Sequence, residues 1–185
     1  MTNRSKTQFD YKFHFDSIVV SFIDSLKSQG IDTIGAYGEQ YVGSYTLDSC
    51  QCGLIPWMTA VQWIENGITY HRMIMKCCSF ETKKINSSVL IRYYINNTHR
   101  LDRERIMPNI TSASKDKNGE LEIGFSMIDH TTHYLIYCDL NNHSRFITFE
   151  EYDFENKESL FHADNNNSII KSWRDMILNQ LYELE

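Results

Sequence analysis

Five cysteines, seven histidines and 24 acidic residues are the raw material for chemistry in this 185-residue chain. A thiol-dependent hydrolase or transferase needs a thiolate, an imidazole to take or hold its proton, and a group that orients the imidazole. Cys52 (or Cys50), His133 and Asp153 (or Asp139) supply that set. Cys50-Gln51-Cys52-Gly53 runs into Pro56, a first-turn residue for a candidate helix, and a helix N-terminus lowers a thiol's pKa. His133 opens an apolar strand whose hairpin partner ends near Asp153, so folding brings an imidazole and an acid to one end of the hairpin.

The order Cys, His, acid is similar to that of papain-like enzymes in arrangement alone. No family-specific motif flanks either cysteine. A buried cysteine before a helix and a polar histidine at a strand end account for the same residues, so the thiol reading stands as the alternative. A metal site built from His130, His133, Cys138 and His143 has the right donors. Its spacing is poor, because His133 and Cys138 are five apart on one strand and point to opposite faces. Glu120 and Glu122 share a strand face, but Ile123 and Gly124 follow where a nuclease would place a lysine. Gly35-Ala36-Tyr37-Gly38 lacks the spacing of a dinucleotide loop, and no Gly-Lys-Ser/Thr occurs. No cofactor and no metal is expected.

Surface recognition fits the remaining features better. The Gly- and Tyr-rich stretch from Gly35 to Tyr45 combines flexible backbone with the interface residues Tyr37, Tyr41 and Tyr45. The acidic run Glu150, Glu151, Asp153 and Glu155 would steer a locally basic partner. The leading expectation is therefore a small acidic protein-binding domain of the inhibitor, immunity or regulator type. Net charge is -6, which disfavours a duplex nucleic acid as that partner.

Two amphipathic helices must position these residues, over 10–29 with Gly30 as its stop, and over 167–184 after the cap-rich Asn165-Asn166-Asn167-Ser168. Strands are expected over 68–80, 88–95, 120–128, 133–139 and 145–152, with Asn118-Gly119 as a hairpin turn. A short hairpin is expected within 33–47, a short helix or an extended piece from Pro56 to Gly67, and a long loop over 98–117. Strands segregated between terminal helices predict an α+β fold with a mainly antiparallel sheet, a single domain over 10–185 behind a flexible N-terminus at 1–9. Composition agrees: 42 % hydrophobic, 23 % charged, two prolines. No secretory signal and no apolar run of membrane length is visible, and an odd cysteine count suits reduced thiols, so a cytoplasmic protein without an intramolecular disulfide is expected.

Overall fold

The computed structural model describes residues 12, 14–42, 57–75, 78–141 and 143–184. Helix α1 (Ser17–Ser28) opens on Asp16, whose carboxylate accepts from the Ile18 N–H at 2.9 Å, and closes with the Ile31 and Gly30 amides bonded back to the carbonyls of Leu26 and Lys27. Strands β1 (Thr33–Val42), β2 (Trp57–Glu65), β3 (Ile68–Met75), β4 (Cys78–Ser79) and β5 (Lys83–Ile85) follow. Then come helix α2 (Val89–Leu101), the hairpin of β6 (Ile110–Lys115) and β7 (Leu121–Phe125), and the long hairpin of β8 (Thr131–Leu140) and β9 (His143–Glu150). The short helices α3 (Tyr152–Glu155) and α4 (His162–Asn166) lead into α5 (Ile169–Leu184).

The main sheet has seven antiparallel strands in the order β4-β3-β2-β1-β8-β9, with β5 also paired to β3. Helices cover both faces. On one, Val19, Ile23 and Leu26 of α1 pack on Ile34, Ala36, Val61, Trp63, Ile74, Leu135 and Tyr137. On the other, Leu90 and Tyr94 of α2 and Ile170, Trp173, Ile177 and Leu181 of α5 pack on Tyr37, Ala60, Tyr134, Ile136 and Cys138. The α+β antiparallel architecture and a helix near each end are as the sequence predicts, although α1 begins at Ser17 after its cap Asp16 rather than near residue 10. The central strands are buried on both sides, so β1 and β8 lack the alternation of a sheet with one wet face. Gly35 marks where α2 presses closest, since a Cβ there would lie 2.8 Å from Leu90.

Four local expectations fail for physical reasons, the first being the long loop over 98–117, which instead holds the last turn of α2 and strand β6, while the choice left open for 57–65 falls to a strand. Segment 88–95 is helical: β-branched and aromatic residues suggest a strand, but Ser88 caps the Ile91 amide at 2.9 Å, and Leu90, Ile91, Tyr94 and Leu101 form one buried helical face. Segment 57–65 is a strand, its all-round hydrophobicity explained by Ala60 facing α2 and α5 while Val61 and Trp63 face α1. Asn66 and Gly67, at φ 51° and 77°, make the two-residue turn that joins it to β3. Residues 33–42 form one unbroken strand rather than part of a short hairpin, and 43–47 lie outside the described residues. Finally, Cys78 is disulfide-bonded, with its partner outside the described residues, while Cys138 is free. The expected strand over 68–80 is also interrupted, since β3 ends at Met75 and β4 pairs back on it from Cys78. The N-terminal residues 1–9 lie outside the described residues. Among the described residues no helix is long and apolar enough to cross a membrane.

Helix α5 is anchored by Trp173, which is fully buried, stacks on Tyr94 and Tyr93, and donates from Nε1 to the Leu90 carbonyl at 3.1 Å. Trp173→Ala is expected to lower the unfolding free energy in urea by about 3–5 kcal/mol. Trp173→Phe, which keeps most of the packing and loses that hydrogen bond, should cost about 1–2 kcal/mol. An alanine cost below about 1 kcal/mol would show that α5 is not held through this stripe.

Candidate functional site

Because the middle of the sheet is filled with apolar side chains, polar residues gather where the central strands end. The C-terminal end of β1, the start of β8 and the end of β9 lie side by side, with Glu39 opposite Tyr134, Gln40 opposite His133, Tyr41 opposite Thr132, and His133 opposite Glu150. The Glu151 amide then bonds the Thr132 carbonyl at 2.9 Å, which turns the chain into α3.

Five side chains make the inner part of this end. Tyr37 Oη donates to Glu39 Oε1 at 2.8 Å, and Tyr134 is hydrogen-bonded to Glu151. Arg174 reaches in from α5 with its guanidinium 4.8 Å above the Tyr134 ring and 5.2 Å from that of Phe154, while it holds Asp175 at 2.9 Å. Burial, more than the neighbouring Glu151, holds the Glu39 carboxyl above the usual carboxylate range, against the Tyr37 hydrogen bond and Arg174. Burial likewise pushes the Tyr37 and Tyr134 phenols well up, so both stay neutral donors. The outer part is wetter. His133 Nε2 lies 3.1 Å from Glu150 Oε1, and Tyr41, 46 % exposed, meets the His130 ring edge-on at 6.5 Å. Val42 beside it is also exposed.

The residues singled out from sequence distribute as follows. Tyr41, His133, Glu150, Glu151 and Asp153 converge on this one end. Tyr37 lies just beneath it but is 1 % exposed, because β1 is covered on both faces, so it serves as core and as donor to Glu39 and cannot anchor a partner. Tyr45, Cys50 and Cys52 lie outside the described residues. Asp153 accepts from Asn109 Nδ2 at 2.7 Å and from the Glu150 amide at 2.8 Å, and burial raises its pKa. It therefore braces the β9–α3 turn, and the acid that meets His133 is Glu150. Asp139 sits at the far end of β8, about 20 Å away at ~3.3 Å per residue, bound to Lys27 at 2.6 Å. His143, at the turn end of the hairpin, pairs with Asp102 at 3.0 Å. Among the described residues no group of three His, Cys, Asp or Glu could hold a metal ion. Cys138 is fully buried and its thiol is pushed up by burial, the opposite of activation.

Sequence reasoning missed Glu39, Tyr134 and Arg174. Arg174 had a signal, since it falls within the buried stripe Ile170, Trp173, Ile177, Leu181 of α5 at helical spacing. A cleft of about 190 Å³ opens on the α1 side of the same end, lined by His14, Asp16, Gly38, Gln40 and Thr59 among others. It is smaller than the ~300–1,000 Å³ of small-molecule pockets. With Arg174 engaged by Asp175 and two rings, the carboxylates Glu39, Glu150 and Glu151 leave this end electronegative beside the exposed ring of Tyr41. Such an arrangement can receive a cation next to an apolar contact.

No protein-family model matches the chain, and no curated protein or solved structure is detectably similar to it.

The raised Glu39 pKa has a sign for stability. Between its unfolded and folded values the native state binds more protons, so Glu39 makes the protein less stable as pH rises through that window. Glu39→Gln keeps an acceptor for Tyr37 and removes this term. The variant is expected to melt higher than the parent at pH 7, with the difference shrinking towards pH 4 in parallel thermal scans; a lower melting temperature at pH 7 would contradict the assignment.

Proposed function

We propose that the chain is a binding protein of the inhibitor or regulator class, and that its working surface is the end of the sheet formed by residues 39–42, 130–134 and 150–151. The observation that carries this reading is that Tyr41 and Val42 of β1 are exposed at the same end of the sheet as the carboxylates Glu150 and Glu151, which close β9 on the far side of β8. A large amphipathic ring with few rotors beside clustered negative charge suits a protein segment that offers lysine or arginine next to an apolar side chain. Glu39 and Arg174 form the half-buried floor, fixed by Tyr37, Tyr134 and Phe154, so the carboxylates are set before a partner arrives and less ordering is needed on binding.

A random dodecapeptide phage library panned on the protein tests this. Enriched peptides should pair basic with aromatic or aliphatic residues. For such a peptide, Glu150→Lys with Glu151→Lys should lower the association rate about tenfold or more at low salt, with the difference shrinking as salt rises. Tyr41→Ala should raise the dissociation rate with little change in association. Near-UV circular dichroism of each variant controls for folding. Enrichment of acidic peptides, or of peptides that bind all variants alike, would contradict the reading.

A further inference from the structure

The β6–β7 hairpin stands apart from the main sheet. Among the described residues its strands pair only with each other, with Ala113 opposite Ile123 and Lys115 opposite Leu121. Its base is tied down: the Ser126 amide bonds the Asn109 carbonyl at 3.1 Å, Ser126 Oγ meets Tyr152 Oη at 2.8 Å, and the Leu160 amide bonds the Ile110 carbonyl at 2.8 Å. Leu160 thus begins to cover the outer edge of β6. The outer edge of β7 receives no backbone hydrogen bond from any described residue outside the hairpin. On one face of this free strand Leu121, Ile123 and Phe125 are 62 %, 40 % and 62 % exposed, and Met127 just beyond is 91 % exposed. An isolated two-stranded hairpin is marginal, and an open apolar edge strand is a template for another strand.

We propose that β7 is the contact strand of a symmetric dimer, in which a second copy of this chain adds its own β7 antiparallel about a twofold axis at Ile123. The sequence of the strand, Leu121-Glu122-Ile123-Gly124-Phe125, is what selects a second copy. In this register Ile123 faces Ile123, Leu121 faces Phe125, and Glu122 faces Gly124 of the other copy. Glu120 falls opposite Ser126, so no acid meets an acid. An axis one residue earlier would set Glu122 against Glu122, at a cost. One closed interface satisfies both free edges and makes a four-stranded sheet with a continuous apolar stripe. At about 200 Å² per large side chain, the exposed fractions amount to about 500 Å² per copy, and edge pairing buries only part of this, below the roughly 1,000 Å² of a stable specific pair. The dimer is therefore weak and reversible, with a dissociation constant on the order of 10–100 µM.

Sedimentation equilibrium of the full chain up to about 1 mM is the test. The parent should show a monomer–dimer equilibrium. Ile123→Lys and Ile123→Glu, at an exposed position, should each weaken self-association at least about tenfold through like charges at the axis. An equimolar mixture of the two should recover dimer at least as well as the parent, because position 123 meets only itself. A monomer at every concentration overturns the proposal. So does a dimer indifferent to both variants, and so does failure of the mixture to recover association.

Discussion

Burial of β1 and β8 from both sides is the constraint on which the rest of the structure depends. A strand covered by α1 on one face and by α2 and α5 on the other has no wet side, so its middle is apolar throughout and its only place for charge is at the ends. The same constraint requires Gly35 beneath Leu90, fixes Tyr37 as core, and delivers Glu39, His133 and Glu150 together at one end while Asp139 and Lys27 pair at the other. The position of the candidate surface is thus a consequence of the layering.

Around Gln62 several buried polar groups form one network that joins sheet and helices. The Gln62 side chain accepts from Ser88 Oγ, while its amide nitrogen approaches His71 Nδ1 and Gln180 Oε1 at 3.4 Å. Gln180 in turn accepts from the Val89 amide at 3.0 Å and donates to the Ser87 carbonyl at 2.7 Å. One buried amide on β2 therefore helps to cap α2 and to fix α5 against it. Burial keeps the His71 pKa below its ordinary value, and Lys83 adds to this, so the ring favours the neutral form that suits a buried network. Satisfying these groups matters because a buried donor or acceptor left without a partner costs about 1–3 kcal/mol.

Much of this was legible in the sequence where periodicity was unambiguous. The stripes of α1 and α5, the alternation of β7 and the β8–β9 hairpin all follow from apolar spacing, and Ser168 caps α5 through the Lys171 amide at 3.1 Å, within the segment expected to do so. Segments in which tertiary burial overrides local preference were not legible. Val89, Ile91, Tyr93 and Ile95 give α2 the composition of a strand, and only the spacing of Leu90, Ile91, Tyr94 and Leu101 betrays the helix. Residues 57–65 read equally as helix or strand because Thr59 to Trp63 are buried on both faces. The acidic run and Tyr41 stand out in the sequence, whereas Glu39, Tyr134 and Arg174 beneath them do not. Arg174, Tyr134 and Glu39 come from three distant parts of the chain, and no local pattern relates them.

In the proposed reading a partner meets the end of the sheet where β1 finishes and β8 begins. Amide chemical-shift mapping of the ¹⁵N-labelled chain, titrated with a basic, aromatic peptide selected for binding, tests it most directly. The largest shifts should fall on residues 39–42, 130–134 and 149–152, with the Lys27–Asp139 end of the sheet unchanged. Largest shifts on α1, or around Lys27 and Asp139, would contradict it.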